Sequence, residues 1–153
     1  MTMPPYEEVH APPDFDGAEG LLAIIIRNWY VAEQGVHFFT DPNLPQQLAC
    51  IRHPPGHQVH PHVHRDVPRQ ISRTQEVLII RKGIARLDLF TSAGVPVRQC
   101  HLIEGDVVML ISGGHGITVS GTQDLEILEI KQGPYAGAAE DKRWLTPKVR
   151  VDG

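Results

Sequence analysis

Residues 56–83 read GHQVHPHVHRDVPRQISRTQEVLIIRKG, and the reading of this stretch decides the fold. Near its start His62 and His64 flank Val63. In a strand, side chains two apart point to the same face, so the two imidazoles project together and can grip one metal ion in cis. A third ligand must then come from a neighbouring strand. Glu76 is the natural source, because it opens the apolar run QEVLIIR at residues 75–81. Leu78 and Ile80 share its face and are expected to line an apolar interior, while Val77 and Ile79 make the other face apolar as well. A carboxylate opening such a strand is costly to bury unless it is paired or metal-bound.

The rest of the chain reads as short strands separated by turn residues. Fourteen Gly and thirteen Pro suit a fold with many tight turns. Residues 21–27, 36–40, 48–53, 57–64, 75–81, 84–90, 95–103, 106–111, 116–120 and 125–131 all read as strands, with hairpin or glycine turns at 91–94, 112–114 and 121. Strands of five to eight residues at this spacing predict a sandwich or a barrel. Residues 28–34 are expected to make one or two helical turns, and no stretch supports a long amphipathic helix. Residues 1–19, rich in Pro, Glu and Asp, predict an irregular or partly extended arm. Residues 20–135 form the barrel domain in this reading, and residues 136–153 a loop-like tail anchored by Trp144 and Leu145.

A fourth ligand candidate is His115, set among Gly113, Gly114 and Gly116, with Ile117 and Val119 continuing its face. Glycine allows close backbone approach there. Three imidazoles and a carboxylate suit Fe(II), Mn, Ni, Zn or Cu, and the donor set does not choose among them.

These residues resemble the cupin superfamily. Its first motif runs glycine, five residues, HxH, a spacer, Glu, six residues, glycine. Here Gly56, HQVHP, His62-Val63-His64, eleven spacer residues, Glu76, VLIIRK and Gly83 follow that order. The spacer is longer than the usual three or four, which implies a loop inserted between paired strands. The second motif, glycine, five residues, PxGxxH, is met by Gly105, DVVML and ISGGHG, with Ile111 in place of the proline and His115 one residue early. GDVVMLISGGHG followed by EIKQGPYAG is similar to small single-domain bacterial cupins. The resemblance covers roughly residues 47–131. It implies a double-stranded β-helix, a jelly-roll-like barrel, with one divalent metal ion per chain on His62, His64, Glu76 and His115. It also implies that Glu76 can act as a base.

The inferred centre leaves open positions, which favours a metalloenzyme acting on a small polar molecule such as a sugar or keto acid, as an oxidoreductase (oxygenase) or an isomerase or epimerase. A non-catalytic cup for a small ligand is the alternative. A metal-free epimerase with a His base and a Tyr acid ranks last, because Tyr6, Tyr30 and Tyr135 are the only tyrosines and none holds a clear inward position. His60 shares the parity of His62 and His64, although Pro61 bends the strand. Lys131 and Tyr135 follow the last strand and are candidates to meet an anionic or hydroxylated substrate. Arg69 and Arg73 lie in the inserted loop, where a lid role is a lesser expectation. His53 and His57 complete a tract holding five of the nine histidines.

Composition narrows the class further. With 14 Lys and Arg against 18 Asp and Glu, the net charge of −4 and the absence of a basic run speak against nucleic acid or an anionic membrane as partner. The run LLAIII at 21–26 is too short to span a bilayer. Two cysteines fifty residues apart, Cys50 and Cys100, suggest small buried residues rather than a disulfide framework. A cytoplasmic setting is the simplest expectation. A homodimer is expected too, because the edge of the early strand at 21–27 is a pairing liability unless a partner covers it.

Overall fold

A computed structural model describes residues 3–13 and 20–148. The protein is all-β: among the described residues there are ten strands and a single four-residue helix, α1 (Ala138–Asp141). The chain divides into two compact units, Val31–Arg73 on one hand and Met1–Tyr30 with Thr74–Gly153 on the other.

In the larger unit two antiparallel sheets share one core. The first has the order β1-β2-β8-β5-β10, formed by β1 (Tyr6–His10), β2 (Leu21–Ile26), β8 (Val107–Leu110), β5 (Glu76–Lys82) and β10 (Glu126–Lys131). The second has the order β7-β6-β9, formed by β7 (Pro96–Ile103), β6 (Ile84–Phe90) and β9 (Gly114–Ser120). Alternation explains the packing. Ala85, Leu87 and Leu89 of β6 and Cys100 and Leu102 of β7 meet Ala23, Ile25, Leu78, Ile80, Val108 and Leu110 of the larger sheet. Each fully buried Leu, Ile or Val contributes about 1.5–3 kcal/mol. Strands β2 and β8 are buried on both faces, with Leu22, Ile24 and Met109 on the reverse side, which is why they read as unbroken apolar runs.

A charged network joins β1 to the far turn. Arg27, just past β2, donates to Glu7 Oε1 at 2.9 Å, to Asp106 Oδ2 at 3.0 Å and to the carbonyl of His101. Arg98 also donates to Glu7, at 2.7 Å. Asp106 is fully buried and accepts from the backbone N–H groups of Asn28 and Ile103. Gly83 turns β5 into β6 at φ +82°, where a Cβ would stand 2.5 Å from the Asp124 carbonyl oxygen.

The smaller unit holds a hairpin of β3 (Gly35–Phe38) and β4 (Ala49–Arg52), closed by Thr40, Gln47 and Asp41 hydrogen bonds. Arg52 donates to the Ala32 carbonyl. Residues 53–75 contain no strand, and residues 51–74 are exposed throughout.

Four expectations need correction. The stretch 57–64 alternates like a strand but pairs with nothing regular, since a strand exists only where a ladder of backbone hydrogen bonds forms. Residues 6–10 of the expected arm are a full sheet strand instead; residues 14–19 of that arm and 149–153 of the tail lie outside the described residues. Residues 28–34 make turns and no helix. Trp144 is 83% exposed and anchors nothing, whereas Leu145 is half-buried and packs against Gly114, where an added Cβ would make the leucine side chain move.

Candidate metal centre

The strands bring Glu76 and His115 together. Glu76 opens β5 on the inward face it shares with Leu78 and Ile80. His115 is the second residue of β9, opposite Leu89 of β6, so it belongs to the other sheet and faces the same interior. The sequence reading placed it just after a glycine turn and before the strand; β9 begins two residues earlier than expected. Its Nε2 lies 3.3 Å from Glu76 Oε2. Hydrogen bonding from His115 holds the Glu76 carboxyl below the usual carboxylate range, against the opposing effect of burial, with the positive charges of Lys131 and Lys142 assisting. Glu76 is therefore an ionised carboxylate in a nearly closed position.

That spacing suits shared ligation. Two donor atoms each about 2.1 Å from one ion lie roughly 3.0 Å apart at a right angle and roughly 3.4 Å apart at the tetrahedral angle. Glu76 and His115 fall within this range.

In the smaller unit His62 and His64 also stand side by side, with ring centroids 5.3 Å apart and planes at 76°. Imidazoles bound to one ion at about 2.1 Å have ring centres roughly 4.6–5.3 Å apart. His62 Nδ1 is 2.8 Å from the His60 carbonyl oxygen. A carbonyl only accepts, so Nδ1 is the donor, and in the neutral ring Nε2 keeps its lone pair, the arrangement typical of a metal-binding imidazole. The donor set thus occurs as two pairs, each spaced to share an ion. Among the described residues no group of three or more His, Cys, Asp or Glu is gathered to hold a metal.

The remaining candidates are placed as follows. Lys131 ends β10 directly across from Glu76, with Nζ 3.7 Å from Glu76 Oε1 and 3.2 Å from Asp141 Oδ2. The hydrogen bond to Asp141 raises its pKa, so the amine stays protonated. Tyr135 is exposed, and Lys131 Nζ lies 5.0 Å from its ring centre. His60 is exposed and offers its carbonyl to His62. His53 and His57 stack on one another at 3.8 Å. Tyr6 donates to Glu8 at 2.6 Å, two residues along an exposed strand face. Cys50 and Cys100 are free thiols; Cys100 is buried, as expected, and Cys50 only half so.

Sequence reasoning missed Asp141, which fastens α1 to Lys131 beside Glu76. Its only signal was an acidic residue in the tail, ten positions beyond the lysine. It also missed the cavity of about 490 Å³ at the opposite end of the core, lined by Asn28, Ile84, Ile103, Gly121 and Thr122 among others. No helix of the described residues is long and apolar enough to cross a membrane.

The geometry defines an all-β protein with a carboxylate–imidazole pair at one end of its core. Compared with protein-family models, with curated proteins and with solved structures, the chain finds no match.

Proposed function

We propose that this chain is a metal-binding cupin that holds one divalent ion through His62, His64, Glu76 and His115 and acts on a small polar molecule. The observation that carries the reading is the meeting of Glu76 and His115 at 3.3 Å, thirty-nine residues apart in sequence and on opposite sheets. The spacing of His62 and His64 and the free Nε2 of His62 supply the matching half. A bound ion with open positions supplies Lewis acidity, or a seat for dioxygen, toward a carbonyl or hydroxyl.

The chain's own groups have assigned parts. Glu76 is ionised and, once released from the ion, can accept a proton from a hydroxyl held nearby, while the protonated Lys131 beside it lowers its basicity. Lys131, fixed by Asp141, keeps positive charge at the same spot and favours an anionic substrate or intermediate. Leu78 and Ile80 exclude water beneath the pair. The chemistry suggested is oxidation or isomerisation of a sugar or keto acid. A cup that only binds its ligand is the second reading, favoured by the ion pairs that already occupy Lys131.

Metal analysis of untagged protein tests the centre. After loading and desalting, about one ion per chain is expected, with loss on His62→Ala/His64→Ala or on Glu76→Gln. Wild-type protein that retains no ion after loading with Fe(II), Mn, Ni, Zn and Cu in turn sinks the reading. Oxygen uptake or product formation across a panel of sugars and keto acids separates an enzyme from a binding cup, which gives thermal shifts without turnover.

A further inference from the structure

Two features of the chain complement one another and are both exposed. Strand β9 is an edge strand, hydrogen-bonded only to β6 within its sheet. Its inward residues His115, Ile117 and Val119 lie opposite Leu89, Leu87 and Ala85. Yet Ile117 is 38% and Val119 56% exposed, while their three opposite numbers are buried. The sheet interior is uncovered along this edge. Residues 57–64 are of similar length to β9, alternate His60, His62 and His64 with Val59, Pro61 and Val63, and are exposed throughout.

We infer that residues 57–64 of a second copy of this chain pair with the free edge of β9, so that His62 and His64 of one copy complete the centre begun by Glu76 and His115 of the other. This rests on the reading of the four residues as one metal centre. Three further observations support it. The first is charge: Glu76, Glu129 and Asp141 outnumber Lys131 and Lys142 at the end of β10, leaving a small acidic excess for an imidazole-bound cation to offset. The second is proline parity. Backbone groups of alternate residues point to opposite edges, so a ladder made by His60, His62 and His64 needs no N–H from Pro61, which then faces outward and blocks a further strand. The third is reach. Ligands of one ion need only a few residues between them, whereas eleven separate His64 from Glu76, enough to span up to about 36–40 Å when extended. Such length lets a segment leave its own barrel. Twofold symmetry gives each copy's segment to the other's edge, so neither edge is left open and no open chain of copies results.

Mixing two defective variants tests the inference. His62→Ala/His64→Ala lacks one half of the centre, and Glu76→Gln/His115→Ala lacks the other. The two are co-expressed with different non-histidine affinity tags and the mixed pair is isolated by tandem purification. Each variant alone binds no ion, whereas the mixed pair holds about one ion per two chains, half the wild-type content. A mixed pair without metal, beside a wild type that binds it, overturns the exchange and leaves the centre within one chain. A wild type that is monomeric by light scattering overturns it as well. Should the wild type bind no metal, the reading of the centre fails, and the exchange is judged by amide hydrogen exchange at 57–64 and 114–120. Protection that fades on dilution upholds it, and protection independent of concentration overturns it.

Discussion

Glu76 shows how much a single residue can disclose. A carboxylate opening an otherwise apolar strand is out of place unless something offsets its burial, and this was readable directly from QEVLIIRK. His115 was found through its surrounding glycines. Asp106 was not readable: its partners Arg27 and Asn28 lie 79 and 78 residues away, and nothing local distinguishes EGD from a surface turn. Two predictions belong here. Because His115 lowers the folded-state pKa of Glu76, the pair's stabilisation is present above the ordinary carboxylate pKa and is lost as pH falls through the depressed value. Urea midpoints of metal-free protein between roughly pH 6 and pH 3 will therefore fall more steeply for wild type than for Glu76→Gln. Asp106→Ala strips Arg27 of a buried partner and leaves two backbone donors unmet, so it is expected to destabilise by about 3–5 kcal/mol in urea titration. A loss below about 1 kcal/mol, the value of an exposed pair, refutes the buried network.

At the scale of elements, the strands from 75 onward were legible because each is an alternating or an unbroken apolar run with a glycine or polar turn on either side. The exceptions have physical causes. In β1, YEEVH, one of the two inward positions is filled by Glu7, whose carboxylate Arg27 and Arg98 neutralise, and only Val9 fills the other, so no hydrophobic alternation marks it. Residues 57–64 have the alternation and no partner within a sheet, and pattern alone cannot supply the ladder that makes a strand. Leu87, at the centre of β6, packs between the sheets and is fully buried. Leu87→Ala is expected to cost about 2–5 kcal/mol, whereas Leu128→Ala on β10, a residue 47% exposed, falls well below that. Equal losses at the two sites in chemical denaturation contradict the placement of the core.

At the scale of the whole molecule, the all-β class followed from the strand spacing. Glu76 and His115, two of the four candidate ligands, lie 3.3 Å apart. Their union with His62 and His64 is a proposal, because each pair lies in a different compact unit. Linkage gives a direct check. An ion that binds only the folded protein at a concentration a hundredfold above its dissociation constant adds about 2.7 kcal/mol. The melting temperature of wild type should rise on loading with the preferred divalent ion, and that of His62→Ala/His64→Ala should not. A similar rise in both shows that the ion sits elsewhere.

The unguarded character of β9 also bears on solubility. Its sequence, GHGITVS, carries no lysine, acid or proline, whereas the edge strand β1 bears Glu8 and His10 on its exposed face. Bare edges of this kind template cross-β aggregation. Copies deprived of their covering segment therefore tend toward fibres or precipitate, and a lysine at Thr118 would keep them dispersed.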